Sequence, residues 1–105
     1  MQQIGSVTLI GKSGTEYGCK IYRLEDSFGE IKAVYIVTRL IGQAHTVLYV
    51  GHTRDLKRVL SSHPRYACML ANGANRMCVH QENDLDLRQI IVGDLIQMHD
   101  PICNY

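Results

Sequence analysis

The stretch from Val47 to His63, Val-Leu-Tyr-Val-Gly-His-Thr-Arg-Asp-Leu-Lys-Arg-Val-Leu-Ser-Ser-His, constrains the fold more than any other part of the chain. Its first four residues are apolar, β-branched or aromatic, and Gly51 closes them, which is the pattern of a core strand. After Thr53 the period changes. Leu56, Val59, Leu60 and His63 fall at i, i+3, i+4 and i+7, one face of a helix. Thr53 is placed to cap that helix, Asp55 sits in its first turn where the dipole favours a negative charge, and Pro64 stops it. The stretch predicts a strand, a tight turn and a helix over 53–63.

The flanking chain supplies partners for this unit. Val7–Ile10 and Glu16–Arg23 read as a hairpin around Gly11-Lys12-Ser13-Gly14, with Tyr17, Cys19 and Ile21 sharing a face. The turn holds the Lys-Ser pair of a phosphate-binding loop. That loop needs a further glycine five residues earlier and a helix behind it, and neither is present, so no nucleotide site is expected. Asp26–Gly29 is turn material, and the continuous apolar run Ala33–Val37 predicts a strand buried on both faces. Arg39–His45 reads as the loop joining it to the next strand. Pro64 suits the first position of a short helix ended by Asn72-Gly73, Arg76–His80 is a further strand, and Asn83 or Asp84 opens a last helix. In that helix Leu87, Ile91, Leu95 and Met98 form a stripe that Ile90 widens. Gly93 costs about 1 kcal/mol relative to alanine inside a helix, which implies a close approach by another element.

A chain of 105 residues is one domain by size. The expected class is α+β: a small, mainly antiparallel sheet of strands near 7–10, 16–23, 33–38, 46–50 and 76–80, flanked by three helices near 53–63, 65–72 and 84–98. Residues 1–32 form an N-terminal hairpin extension of a core over 33–105, and it either joins the core sheet or makes a separate interface.

Composition narrows function less than fold. An apolar content of 46% with 20% charged residues fits a soluble globular domain. No apolar run approaches the roughly 20 residues of a membrane span, and Met1-Gln2-Gln3 does not begin a signal peptide, so a cytoplasmic location without membrane contact is expected. Cys19, Cys68, Cys78 and Cys103 show no C-x-x-C pairing and lie in apolar segments, which favours buried reduced thiols over disulfides. The net charge of +1 is low for a dedicated DNA-binding domain. The charge is unevenly spread, however: Arg54, Lys57, Arg58 and Arg65 face only Asp55 between Thr53 and Tyr66. This segment reads equally as a solvated surface or as a phosphate contact. His63, Cys68, Cys78 and His80 match no standard zinc spacing, and no metal site is expected. His45, His52 and His99 are scattered.

Two tripeptides in this frame, Ala33-Val34-Tyr35 and Tyr49-Val50-Gly51, resemble the paired half-motifs of the GIY-YIG endonuclease superfamily. With Asp55-Leu56, His63, Asp94-Leu95-Ile96, Pro101 and Asn104, the resemblance spans residues 33–104. Ser13-Gly14 and Tyr17 resemble the extension of some small bacterial members. What the resemblance implies is metal-dependent hydrolysis of DNA, with motif tyrosines at Tyr35 and Tyr49, a helix histidine at His63 and a C-terminal asparagine at Asn104. It also implies a phosphate-binding arginine at position 59 and a metal-binding glutamate at position 92. Both positions hold valine.

Valine has neither charge nor lone pair, so a cation held through one carboxylate would lose its anchor. Arg58 is rotated about 100° from Val59 on a helix and Asp94 about 200° from Val92, which points Asp94 out of the site. Replacing both partners of a buried ion pair with aliphatics is often neutral, whereas removing one strands the other. The expected function is therefore a catalytically degenerate domain that binds nucleic acid, with Tyr35, Tyr49 and His63 beside Arg54, Lys57, Arg58 and Arg65. Two alternatives stand: a protein-interaction scaffold of inhibitor, immunity or regulatory type, and a weak nuclease using Arg58. No cofactor is expected, and Mg or Mn only in the last case. Taken without the resemblance, Tyr35 and Tyr49 read as core aromatics and Val59 and Val92 as ordinary apolar positions.

Overall fold

In the computed structural model, which describes residues 1–105, the apolar runs form five strands: β1 (Gly5–Ile10), β2 (Glu16–Arg23), β3 (Ala33–Ile41), β4 (Ala44–Thr53) and β5 (Arg76–Gln81). They make one sheet, antiparallel throughout, in the order β1-β2-β5-β3-β4. The N-terminal hairpin thus joins the core sheet, through pairing of β2 with β5. The strand predicted at 33–38 and its partner at 46–50 both run further, to Ile41 and from Ala44. The expected 39–45 loop shrinks to a two-residue turn in which Gly42 takes φ 61°, a conformation glycine adopts without penalty.

β3 is buried on both faces, as its sequence requires. Ala33, Tyr35 and Val37 pack into a cluster with Leu56, Met69, Met77 and Cys103, while Val34 and Ile36 pack on the opposite face with Val50, Cys78, Ile91 and Leu95. Removing a side chain such as Ile36 or Leu95 from water contributes about 1.5–3 kcal/mol each. The second face is covered by α2 (Leu85–His99), whose N-cap Asp84 accepts the Leu87 N–H at 3.1 Å. No helix is long and apolar enough to cross a membrane.

Two α-helices are present rather than three. The short one, α1 (Tyr66–Ala71), lies where a helix over 65–72 was expected, with Pro64 just before its N-cap Arg65 and Gly73 at φ 81° behind Asn72. The predicted helix over 53–63 does not form. Its place is taken by one 3₁₀ turn, Leu56–Arg58, and a series of i→i+3 bonds that runs on to His63, with Ser62 at φ 59°. The cap is Asp55 and not the expected Thr53: Asp55 accepts the Lys57 N–H, while Thr53 Oγ1 accepts only the Asp55 N–H. Serine is a weak helix former, proline disfavours the α region for the residue before it, and Ser62 takes the left-handed conformation, so the chain turns instead of winding. The apolar face survives without its helix, for Leu56 is fully buried and Val59 and Leu60 pack on the same cluster.

The stripe expected on the last helix is rotated. Ile91 and Leu95 are buried, but Leu87, Ile90 and Met98 are exposed, and Arg88 takes the third buried position. Its Nη1 donates to the carbonyls of Glu82 and Asn83, both at 3.0 Å. The helix rotation is set by Asp94, whose carboxylate is held by the β1–β2 turn: Oδ1 accepts the Ser13 N–H at 2.8 Å, and Oδ2 accepts the hydroxyls of Ser13 and Tyr17 at 2.7 and 2.6 Å. These bonds hold the Asp94 carboxyl below the usual carboxylate range. The Ser13 of the Lys-Ser turn thus serves a carboxylate.

Gly93 is not a point of close approach, because a Cβ added there meets nothing within 4 Å. Gly93→Ala is therefore expected to stabilise the fold by about 1 kcal/mol, seen as a higher urea midpoint; a drop would mean the helix needs a flexible residue there. The cysteine expectation holds for Cys19 and Cys78, which are buried free thiols, and fails for Cys68 and Cys103, which form a disulfide. The 3₁₀ turn Ile102–Asn104 folds back onto α1 and brings these two to a Cα separation of 5.7 Å. Cys68 is therefore no part of a zinc site with His63, Cys78 and His80.

Candidate nucleic-acid interface

Tyr35 and Tyr49 meet as diagonal neighbours on one face of the regular β3–β4 ladder, where Tyr35 pairs with Gly51 and Val37 with Tyr49, and a bulge follows directly. Val37 pairs with Tyr49 but Thr38 pairs with Val47, which leaves Leu48 as an extra residue. Leu48 and Tyr49 consequently both pack on the first cluster although they are adjacent in sequence. The two tyrosine rings stack with centroids 5.8 Å apart, and the His63 ring stands edge-on to Tyr49 at 4.9 Å. Gly51 makes room for this, since a Cβ there would come within 2.7 Å of the Tyr35 hydroxyl and 2.8 Å of the Tyr49 ring.

His63 is oriented from both sides. The Arg65 backbone N–H donates to its Nδ1 at 3.0 Å, and its Nε2 lies 2.9 Å from the Tyr35 hydroxyl oxygen. Because Nδ1 accepts, the neutral ring carries its proton on Nε2 and donates it to Tyr35. Burial, followed by the nearby Arg65 charge, holds the His63 pKa below the ordinary histidine value. Burial, followed by the adjacent Tyr49, pushes the Tyr35 phenol well above its ordinary value. Near neutral pH His63 therefore has no free imidazole lone pair and the Tyr35 hydroxyl keeps its proton.

His45, whose Nδ1 lies 2.9 Å from Thr38 Oγ1, is also held below the usual value, first by burial and then by Arg76. Both histidines stay neutral in the folded state while their unfolded counterparts take up protons below about pH 6.5, so stability falls as pH drops through that value. On the alkaline side the raised pKa of Tyr35, together with thiols pushed up to about 12 at Cys19 and about 11 at Cys78 by burial, removes stability once their unfolded counterparts ionise. The urea midpoint is expected to be highest between about pH 7 and 8 and lower at 5.5 and 10. A midpoint unchanged at pH 5.5 would contradict the neutral His63.

The remaining candidates divide around this cluster. Val59 packs on the same cluster as the tyrosines, whereas Val92 packs on the other face of the sheet with α2. The structure does not bring these two together. Arg54, Lys57, Arg58 and Arg65 are all exposed. Lys57 lies 3.9 Å from Glu30 and Arg58 3.4 Å from Asp55, and Arg65 Nη1 donates to the Tyr105 carbonyl at 2.7 Å. Asn104 does not face the cluster; its carboxamide pairs with the backbone of Val50. No three His, Cys, Asp or Glu side chains converge as a metal-holding group.

Sequence reasoning missed the Arg65 amide that fixes His63, and the half-buried Tyr66 and Leu60 that pack beside the cluster. Only the His63-Pro64 pair, which forces the backbone to turn, pointed toward the first. In comparison with known proteins, no family model matches the chain, and no curated protein or solved structure does so either.

Proposed function

We propose that the chain is a nucleic-acid-binding module on a GIY-YIG-like scaffold, one that holds a strand without cutting it. A single juxtaposition supports this reading: the Tyr35–Tyr49–His63 cluster adjoins the segment that carries Arg54, Lys57, Arg58 and Arg65. The half-buried rings of Tyr49 and His63, backed by the buried Tyr35, stand beside exposed cations and suit base stacking with phosphate contact. The pairs made by Lys57 and Arg58 are solvent-exposed and worth at most about 1 kcal/mol, so a phosphate displaces them readily. Val59 and Val92 supply neither a cation nor a ligand, and they lie on opposite faces of the sheet, so they do not frame one cleavage site.

The test is fluorescence anisotropy with a labelled single strand of about 20 nucleotides. Contact with four phosphates predicts a roughly 50-fold loss of affinity between 50 and 200 mM salt, and Arg54→Glu with Arg58→Glu weakens binding by about tenfold or more. Salt-independent behaviour, or none at all, overturns the reading. Plasmid nicking with Mg or Mn should be silent for the native chain. It should stay silent for Val59→Arg/Val92→Glu, because these positions lie on opposite faces of the sheet. Metal-dependent cleavage abolished by Arg58→Ala would install the nuclease reading instead.

A second reading, a protein-interaction scaffold, is favoured by Leu87, Ile90 and Met98, which are 46%, 63% and 50% exposed on one face of α2. It predicts silence toward nucleic acid at every salt concentration.

A further inference from the structure

We propose that the Cys68–Cys103 disulfide is a reduction-sensitive latch, holding Pro101–Tyr105 as a strap across the β4 edge and Arg65. The strap begins where α2 ends: Asp100 takes the left-handed conformation at φ 46° and reverses the chain. Pro101 and Cys103 are buried, and Cys103 reaches Cys68 on α1. Asn104 then does the work of a missing strand. Its Oδ1 accepts the Val50 N–H and its Nδ2 donates to the Val50 carbonyl, both at 2.9 Å. β4 is an edge strand, so without Asn104 these two groups face outward unpaired. Tyr105 adds two ties, a carbonyl that accepts from Arg65 Nη1 and a hydroxyl that donates to Asp100.

Apart from the disulfide, the strap is held by the burial of Pro101 and Cys103 and by a few hydrogen bonds, the outermost of them exposed, and it starts from a strained residue. Of the two half-cystines, Cys68 is half-buried and Cys103 fully buried, so an incoming thiolate approaches from the Cys68 side. The S–S bond breaks, a mixed disulfide forms at Cys68, and Cys103 leaves as a thiolate. Asn72 Nδ2, 3.6 Å from Cys68 Sγ and 3.9 Å from Cys103 Sγ, is placed to donate toward the departing sulfur. The second thiol of a small dithiol reductant then resolves the mixed disulfide. The reductant leaves as its own cyclic disulfide, and two electrons and two protons pass to the protein as two thiols.

No internal thiol competes. Cys19 and Cys78 belong to the cluster on the other face of the sheet, and burial keeps both protonated. The latch is opened from outside, and its opening exposes the Val50 ladder groups and frees Arg65. The proposal stands apart from the nucleic-acid reading, since its readout is the order of the strap itself.

The experiment is ¹⁵N relaxation on the full chain, oxidised and then reduced with dithiothreitol. In the oxidised chain Cys103 and Asn104 are expected at the rigid-backbone order parameter of about 0.85; in the reduced chain they fall below about 0.6, while β3 and β5 stay rigid. Reoxidation restores the first state, and Cys103→Ser shows the second permanently. Order parameters that stay high in the reduced chain overturn the proposal, because the strap then needs no latch. Loss of the dispersed spectrum from β3 and β5 on reduction also overturns it, because the bond is then a staple of the whole fold.

Discussion

Replacing Cys68 and Cys103 together by serine lowers the free energy of unfolding by about 4 kcal/mol. The figure follows from the length of chain that the bond encloses: with the two half-cystines 35 residues apart, the unfolded ensemble loses the freedom of a loop containing the end of α1, β5 and α2. For a small domain whose total stability is on the order of 5–15 kcal/mol, this is a large share. The check is a urea titration of the oxidised chain against the double variant, with the native chain under dithiothreitol as a third arm. The variant and the reduced chain should coincide. Equal stability of all three would mean that the unfolded chain already holds this loop together without the bond.

Leu56→Ala should cost about 3 kcal/mol, within the range for truncating a fully buried leucine. Leu56 is the anchor of the segment between β4 and α1, which has no helix of its own to support it. Its side chain is fully buried, and its N–H donates to the Ile31 carbonyl at 3.0 Å. The loss should show twice, as a lower urea midpoint and as weaker strand binding, because Arg54, Lys57 and Arg58 all hang from this anchor. A midpoint shift below about 1 kcal/mol would show that the segment refills the space, as adaptable sites do. An unchanged affinity with a normal midpoint shift would separate the fold of the segment from the binding proposed for it.

The strands were legible because their apolar runs and turn residues agree. β2 was read at its observed bounds, and β3 announced its two-sided burial by an unbroken run from Ala33. The last helix was legible from Asp84, whereas its rotation was not, because that depends on Asp94 meeting Ser13 and Tyr17 some eighty residues earlier in the chain. The segment over 53–63 deceived for a local reason. Its apolar residues do face the core, and a 3.6-residue period is one way to arrange that, but a series of 3₁₀-type turns is another. The cluster of Tyr35, Tyr49 and His63 could be guessed as a group. The disulfide could not, since spacing alone does not fix which cysteines meet.

The bulge at Leu48 has a consequence for how β4 tolerates change in length. Because Val37 faces Tyr49 and Thr38 faces Val47, the two halves of β4 are already in phase with β3 on either side of the extra residue. Deleting Leu48 would therefore close the ladder into regular pairing, with Tyr49 and Gly51 kept opposite Val37 and Tyr35. Deleting either neighbour's counterpart elsewhere in β4 would invert one half of the strand and send its core residues into solvent. Leu48 is thus the residue outside the regular pairing, and it is buried in the same cluster as Tyr35. In this strand the chain spends one residue of length to place two adjacent side chains on the same side of a sheet.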